Sequence, residues 1–238
     1  MKKVDLSDAI MVHGDLSRAH LRSSKLQRVD FRKARAEDCE FIDCDLSESI
    51  LDGADMTLSD FINPILERIR AFSADLSLSR IQNGLLDHSN LKGIDLGGAE
   101  IVNCEMTMAN LTGANLRQAK VFSSKLVKAI LKDAILSASS LKSTDFTEAD
   151  MSGVAMEVAK IRQCQFSQVN LSGANLKAAY FRDVELVGAN LDGADLHSTT
   201  FRHVERSGVD LSKVKHLDKA KGDLASADDL LTQDSQGA

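Results

Sequence analysis

Residues 188–198 read GANLDGADLHS, one five-residue word spelt twice: Ala189-Asn-Leu-Asp-Gly, then Ala194-Asp-Leu-His-Ser. Stepping from Leu191 by five in both directions holds one register from Leu6 to Leu211, 42 positions without an insertion or deletion. These marker positions carry 23 Leu, 7 Phe, 5 Met, 3 Ile, 1 Val, 2 Ala (Ala36, Ala71) and 1 Arg (Arg206), so the series is apolar almost throughout. Two residues before each marker stands a small or β-branched side chain, with 17 Ala, 7 Ser, 7 Val and 4 Cys among them. The other three positions carry nearly all the charge. A period of five matches neither the 3.6 of an amphipathic helix nor the 2 of a strand, and a fixed repeat decides the architecture before any local propensity does.

The simplest coil with this period turns by about a right angle every five residues, so that four words close a square of 20 residues. The next square stacks on it through strand-like hydrogen bonds at ~4.8 Å. Each marker then lies over the marker 20 residues earlier, and like side chains form continuous columns, as in other solenoids. The words Ala109-Asn-Leu-Thr-Gly-Ala-Asn-Leu-Arg, Ala174-Asn-Leu and Ala189-Asn-Leu-Asp-Gly-Ala-Asp-Leu resemble the A(D/N)LXX repeat of pentapeptide-repeat proteins. The resemblance runs from Val4 to about Lys213. It implies an all-β fold, the right-handed quadrilateral β-helix, here of about ten coils and roughly 50 Å long. It also implies a bacterial, cytoplasmic protein, and it leaves function open because that family is functionally mixed.

The reading divides the chain into a lead (1–3), the β-helix (4–213) and a C-terminal cap with a polar tail (214–238). Three words depart from the pattern. Ala36 and Ala71 replace a large marker; the second is followed by Phe72 and preceded by Pro64, the chain's only proline. A proline cannot donate to a ladder, so a bulge is expected there, or an inward Phe72 that makes up the missing volume. Arg206 at a marker implies an interior already opening to water, because a dry guanidinium would cost several kcal/mol. Beyond it, Leu217, Leu224, Leu230 and Leu231, with a helix start at Ser226, suggest a short helical cap over the open end, frayed from about Thr232.

No window approaches ~18 uninterrupted apolar residues, and the N-terminus lacks an apolar h-region, so neither a membrane span nor a signal peptide is read. Net charge is −6, and no like-charge run is long enough for a nucleic-acid tail; no direct nucleic-acid binding is expected. His13, His20, His88, His197, His203 and His216 show no metal-ligand spacing, and neither a GxSxG elbow nor a phosphate-binding glycine loop occurs. No catalytic residue, metal or cofactor is assigned. The 14 glycines fall mostly at word ends, where corners call for them. Cys39, Cys44, Cys104 and Cys164 all occupy the small inward position. The last three share one column, roughly 14 Å apart, too far for a disulfide, so they read as reduced core filler suited to a cytoplasm.

Outward residues sort by face. The face of Leu6, Leu26 and Leu46 carries 6 cations and 11 carboxylates, and that of Leu16 and Met56 carries 4 and 8. The face of Phe31 and Leu51 balances at 6 and 6; that of Leu21 and Phe41 is basic, at 8 and 5. The acidic faces display Asp5, Asp15, Asp45, Asp55, Asp75, Asp95, Glu105, Asp145, Glu185 and Asp195. Quinolone-resistance (Qnr-type) members of the resembled family are acidic rods that engage DNA gyrase by mimicking duplex DNA. The dimensions fit that role, but a duplex of this length carries about 30 charges, and the unbroken register leaves no projecting loops. In topoisomerase-interacting relatives the C-terminal segment dimerises, so a monomer or a C-terminal-end homodimer is implied.

The basic face has its own column. Just after the marker, successive squares read Arg22, Ile42, Ile62, Gln82, Val102, Phe122, Lys142, Arg162, Arg182, Arg202. One reading is a solvated ladder whose cations pair across the corner with Asp145, Glu185 and Glu205. The other is a partner-binding strip with an apolar half (Ile42, Ile62, Val102, Phe122) and an anion-binding half (Lys142, Arg162, Arg182, Arg202). Two functions follow: a topoisomerase modulator acting through the acidic faces, or a scaffold or secreted effector that binds a protein or envelope partner through the apolar and basic face.

Overall fold

A computed structural model describes residues 3–223. The chain winds as the β-helix expected. Strands β1 (His20–Arg22), β2 (Glu40–Ile42), β3 (Asp60–Ile62), β4 (Arg80–Gln82), β5 (Glu100–Val102) and β6 (Lys120–Phe122) lie in parallel order along one side. β7 (Ser140–Lys142), β8 (Lys160–Arg162), β9 (Tyr180–Glu185) and β10 (Thr200–Glu205) continue the sheet. Every neighbour is displaced by one coil, as in His20↔Glu40 and Lys160↔Tyr180. The other three sides are held by single parallel bridges at the same displacement, such as Asp5↔Lys25, Ile10↔Asp30 and Asp15↔Arg35.

The turns explain the period. At three corners of each coil the marker carbonyl accepts from the amide three residues on, as in Ala9 to Leu6 (3.0 Å), Gly14 to Met11 (2.9 Å) and Ala19 to Leu16 (2.8 Å). The second residue after the marker has positive φ at every word from Asp8 to Gly208. This is the type II turn, which glycine adopts most easily, yet glycine fills only 9 of these 41 corners. The left-handed conformation is therefore imposed on side chains as unsuited as Val158 (φ 53°), and the ladder bonds offset its cost. The fourth corner, after each strand of the sheet, lacks the turn bond. Pro64 stands there, where the equivalent Cys104 amide turns instead to the Ser124 hydroxyl at 3.1 Å.

The expected bulge at Ala71 is absent. Ala71 is fully buried, its amide bonds Asn90 O at 2.9 Å, and Arg70 bridges both Ile50 and Asn90 in regular register. Phe72 does not make up the volume: it points outward and is 49% exposed. Proline sits where no ladder amide is needed, and the backbone bonds hold the register against a missing side chain. The same stretch of core keeps a narrow apolar void of about 10 Å³, lined by Leu51, Leu66, Leu76, Leu86, Leu91 and Leu96.

Inward columns pack by stacking. Phe41 and Phe61 lie with ring centroids 4.8 Å apart and planes 6° from parallel, Phe146 and Phe166 are 4.9 Å apart, and Phe181 and Phe201 are 5.0 Å apart. Buried hydroxyls at the small position donate to carbonyls of the preceding coil, as in Ser49 to Leu26 O (2.7 Å) and Thr199 to Leu176 O (2.8 Å). At the C-terminal end Arg206 is half-buried between partly buried Val204 and Val209. Ladder bonds run past residue 213. Asp195 bridges Lys215, a 3₁₀ turn over Leu217–Lys219 adds one residue, and β11 (Lys221–Gly222) pairs with β10 one residue out of step, Thr200 opposite Lys221. The helix start at Ser226, with Leu224, Leu230, Leu231 and the tail from Thr232, lies outside the described residues.

Phe41→Ala removes one ring from a stacked pair with no room to collapse, and is expected to cost about 3–5 kcal/mol. Phe72→Ala should stay within about 0.5 kcal/mol. Urea unfolding midpoints of the two variants check the contrast.

Candidate functional site

The acidic candidates share a structural task. The residue just before the marker is Asp or Asn in the resembled word, and its side-chain oxygen accepts the amide two residues on. Asp5, Asp15 and Asp45 accept from Ser7, Ser17 and Ser47 at 3.0–3.1 Å. Asp55, Asp75, Asp95, Asp145 and Asp195 do so from Thr57, Ser77, Gly97, Thr147 and His197 at 2.8–3.2 Å. Eight of the ten candidates therefore satisfy an otherwise unbonded amide. Asn110, Asn115, Asn170 and Asn190 serve equally well without charge. Glu105 and Glu185 do not share this role.

Several of these carboxylates are also neutralised within the rod. Asp5 faces Lys25 at 3.8 Å, Asp15 faces Arg35 at 3.5 Å, and Glu105 holds Lys125 at 2.9 Å. Asp195 meets Lys177 at 3.2 Å and the His216 ring at 2.9 Å. Partial burial pushes its pKa up, but the His197 amide, the His216 ring and Lys177 outweigh that and hold it at about 2. The one run of consecutive carboxylates among the ten is Asp55, Asp75 and Asp95, bridged in adjacent coils, and no cation pairs with them among the described residues.

Ladder pairing puts the eight residues of the proposed strip in one column. Ile42 lies beside Ile62, Val102 beside Phe122, Phe122 beside Lys142, and Lys142, Arg162, Arg182 and Arg202 follow in successive coils. Two expectations are corrected. The apolar half is half-buried rather than fully exposed, because stacked side chains shield one another across the ~4.8 Å spacing. Nor do the cations pair across the corner with Asp145, Glu185 and Glu205. Asp145 is taken by the Thr147 amide and Glu205 by the Ser207 amide at 3.1 Å. Arg182 turns instead to Asp183 at 3.3 Å, and the Arg162 guanidinium lies 5.9 Å from the Tyr180 ring centroid. Lys142, Arg162, Gln163, Arg182 and Asp183 line a shallow open groove of about 210 Å³.

Sequence reasoning missed the corner between the two faces just described. Leu58 (50% exposed), Leu78 (62%) and Val158 stand there in left-handed turns. The signal was an apolar residue two positions after a marker, where Gly, Asn or a charge is the rule. Among the described residues no cluster of three His, Cys, Asp or Glu could hold a metal, and no helix is long and apolar enough to cross a membrane. The four cysteines are buried free thiols, and burial pushes Cys104 and Cys164 up to about 11, so none is poised as a nucleophile.

A solenoid whose inward columns fill its interior, with every fifth residue a marker, defines a repeat protein. The pentapeptide-repeat model matches eight copies, over residues 1–35, 39–77, 85–118, 119–154, 159–197 and 179–215, and the chain belongs to the pentapeptide-repeat family. Among solved structures it is similar to HetL, a pentapeptide repeat protein involved in heterocyst differentiation regulation in the cyanobacterium Nostoc sp. strain PCC 7120. The TM-score is 0.58 at 24% identity, over 92% of this chain and 90% of that one. QnrB1, a plasmid-mediated fluoroquinolone resistance protein, aligns over 100% and 99% of the two chains at 17% identity with a TM-score of 0.41. A thylakoid-lumen pentapeptide repeat protein of Arabidopsis thaliana shares 27% identity over 39% of this chain and 64% of its own, with a TM-score of 0.38. The comparison with curated proteins finds no match.

Asp75→Asn keeps the turn acceptor and should leave stability within about 0.5 kcal/mol, whereas Asp75→Ala leaves the Ser77 amide unbonded and should cost about 1 kcal/mol, read by urea unfolding. Asp195, with a folded pKa below its ordinary 3.8, stabilises the last coil fully above that value. That contribution should fade as pH falls through about 2, seen as earlier loss of amide-exchange protection at residues 197–222 than in the central coils.

Proposed function

We propose that this protein is a non-enzymatic interaction rod that engages an acidic surface of a protein partner through Lys142, Arg162, Arg182 and Arg202. One observation carries the reading. These four cations stack in consecutive coils, and Lys142, Arg162 and Arg202 have no carboxylate partner among the described residues. Some cations elsewhere are matched within the rod, as in Arg28–Asp8 (2.6 Å), Arg70–Asp52 (2.7 Å) and Arg80–Asp60 (3.0 Å), and others without a carboxylate partner among the described residues, such as Arg18, Arg68 and Lys132, have no cation one coil away. Like charges ~4.8 Å apart repel by about 1 kcal/mol per neighbouring pair even in water. An anionic surface laid along the column removes that repulsion, so association is favoured without any rearrangement of the rod. The Tyr180 ring and Asp183 restrict Arg162 and Arg182, lowering the entropy lost on binding. A net charge of −6 disfavours a nucleic-acid polyanion and leaves an acidic protein as the fitting class.

A second reading rests on Asp55, Asp75 and Asp95, whose second carboxylate oxygens are available to a DNA-binding partner. On that reading the rod modulates a topoisomerase such as DNA gyrase by partial duplex mimicry. Its weakness is physical: most of the acidic columns are occupied by turn amides or internal cations.

Arg162→Glu with Arg182→Glu should weaken binding to polyglutamate at least 10-fold in calorimetry and remove the salt dependence, with the fold unchanged by circular dichroism. Unaltered affinity, or equal affinity of the parent chain for duplex DNA, would reject the cationic-column reading. In gyrase supercoiling assays with and without a fluoroquinolone, the mimicry reading requires an effect that Asp75→Asn abolishes. No effect of the parent protein removes it.

A further inference from the structure

The sheet side of the rod carries a pattern that the cationic groove does not use. Along the column just before the buried marker, successive strands present Asp60 in β3, Arg80 in β4, Glu100 in β5 and Lys120 in β6, alternating in sign. On the other side of the same strands lie half-buried Ile62, Gln82, Val102 and Phe122. Beyond them runs an amide ladder along the edge: Asn63 donates to Asp43, Asn83 to Asn63 and Asn103 to Asn83, each at 2.8 Å. Three parallel stripes thus lie side by side on a regular parallel sheet, the charged and apolar ones over β3–β6 and the amide ladder over the coils of β2–β5.

We infer that this surface binds a second copy of the same chain, face to face and antiparallel, about a two-fold axis that lies in the interface, parallel to the strands and level with the gap between β4 and β5. A two-fold axis in that position sends each stripe onto itself with its direction reversed. Asp60, which also holds Arg80 of its own chain at 3.0 Å, then faces Lys120 of the second copy, and Arg80 faces its Glu100, so each contact between copies extends an existing ion pair. Each contact occurs twice, giving four opposite-sign pairs and no like-sign pair in the stripe. In the apolar stripe Ile62 meets Phe122 of the second copy and Gln82 meets its Val102. In the amide stripe Asn83 meets Asn103, and amides are donors and acceptors at once. Shifting the register by one coil brings Arg80 opposite Arg80 or Glu100 opposite Glu100; a shift of two coils can keep opposite signs together but sets Ile62 opposite Arg162 and Gln82 opposite Lys142, so charge and apolar stripes together select the alignment. Farther out, Arg22 would face Arg162 of the second copy, and this like-sign pair marks the end of the patch.

The patch spans about 24 Å of rod. Across a face roughly 20 Å wide the two copies would bury on the order of 1,000 Å² in total, the size of a weak, reversible interface. Arg182 and Arg202 project past it at each end, whereas Lys142 and Arg162 lie opposite Ile42 and Arg22 of the second copy, so a dimer leaves only half of each cationic column open.

Sedimentation equilibrium of the full chain at low ionic strength tests the inference. The expected result is a monomer–dimer equilibrium with a dissociation constant in the range of about 1–100 µM. Glu100→Arg places a cation opposite Arg80 at both symmetric contacts and should weaken the dimer at least 10-fold. The exchange Arg80→Glu with Glu100→Arg should return it to within about 3-fold of the parent, because only an Arg80–Glu100 contact between copies is rescued by the swap. Ile62→Ser with Phe122→Ser, which leaves the charges in place, should weaken the dimer at least 10-fold while thermal unfolding confirms an intact rod. A chain that stays monomeric at about 100 µM overturns the inference, as does a dimer indifferent to Glu100→Arg or a folded double exchange that fails to restore association.

Discussion

The structure depends on one constraint: each word of five residues must turn a corner while its ladder amides find acceptors in neighbouring coils. Three amides bond to carbonyls of neighbouring coils, as in Leu26 to Asp45 O, Arg28 to Ser47 O and Asp45 to Ser24 O. At three corners of four a further amide closes the turn. The last, just after the marker, has no backbone partner, and where Asp or Asn stands two residues before it, as at Asp5, Asp75 and Asn170, that side chain accepts it. Because every coil uses the carbonyls of the next, one inserted residue would misalign all the bonds beyond it. The single shift that occurs, at Leu217–Lys219, lies where the interior is already open and few bonds remain to be broken.

The same accounting changes the meaning of the charge. An Asp before the marker contributes an acceptor, and its negative charge is incidental to that task, which is why Asn substitutes freely. An acidic face in such a rod is therefore first a consequence of folding. Carboxylates lacking that duty, and cations lacking an internal partner, stand apart from this background. Most such cations stand singly, whereas the column from Lys142 to Arg202 stacks four cations in consecutive coils, and a proposed function is placed there rather than on the richer acidic faces. Membership of the pentapeptide-repeat family is consistent with this division, since the repeat specifies a scaffold and leaves the outward positions free to differ.

The fold was legible in the sequence to an unusual degree because the repeat reduces a three-dimensional problem to a phase. Leu191, read as an inward marker, correctly placed Cys104 in the core and Arg162 beside Arg182. What escaped were features that depend on side-chain direction rather than phase. Phe72 follows a deficient marker and was expected to turn in, but in a coil with fixed backbone bonds the position after the marker points out whatever residue fills it. Ile42 and Ile62 read as exposed, yet neighbours one coil away cover them. Nothing in the phase distinguishes the side that forms a continuous sheet from the three that form single bridges.

The sequence by itself determined the coil, its 20-residue circumference and the column to which each residue belongs, because a strict period of five admits only one closed stacking. The tertiary structure alone decided which charges are spent on the rod and which are left for other molecules. That outcome depends on distances between side chains 20 residues apart, on which neighbour reaches Asp195 or Arg182 first, and on how far stacked apolar groups shield each other, and none of these is a property of the word itself.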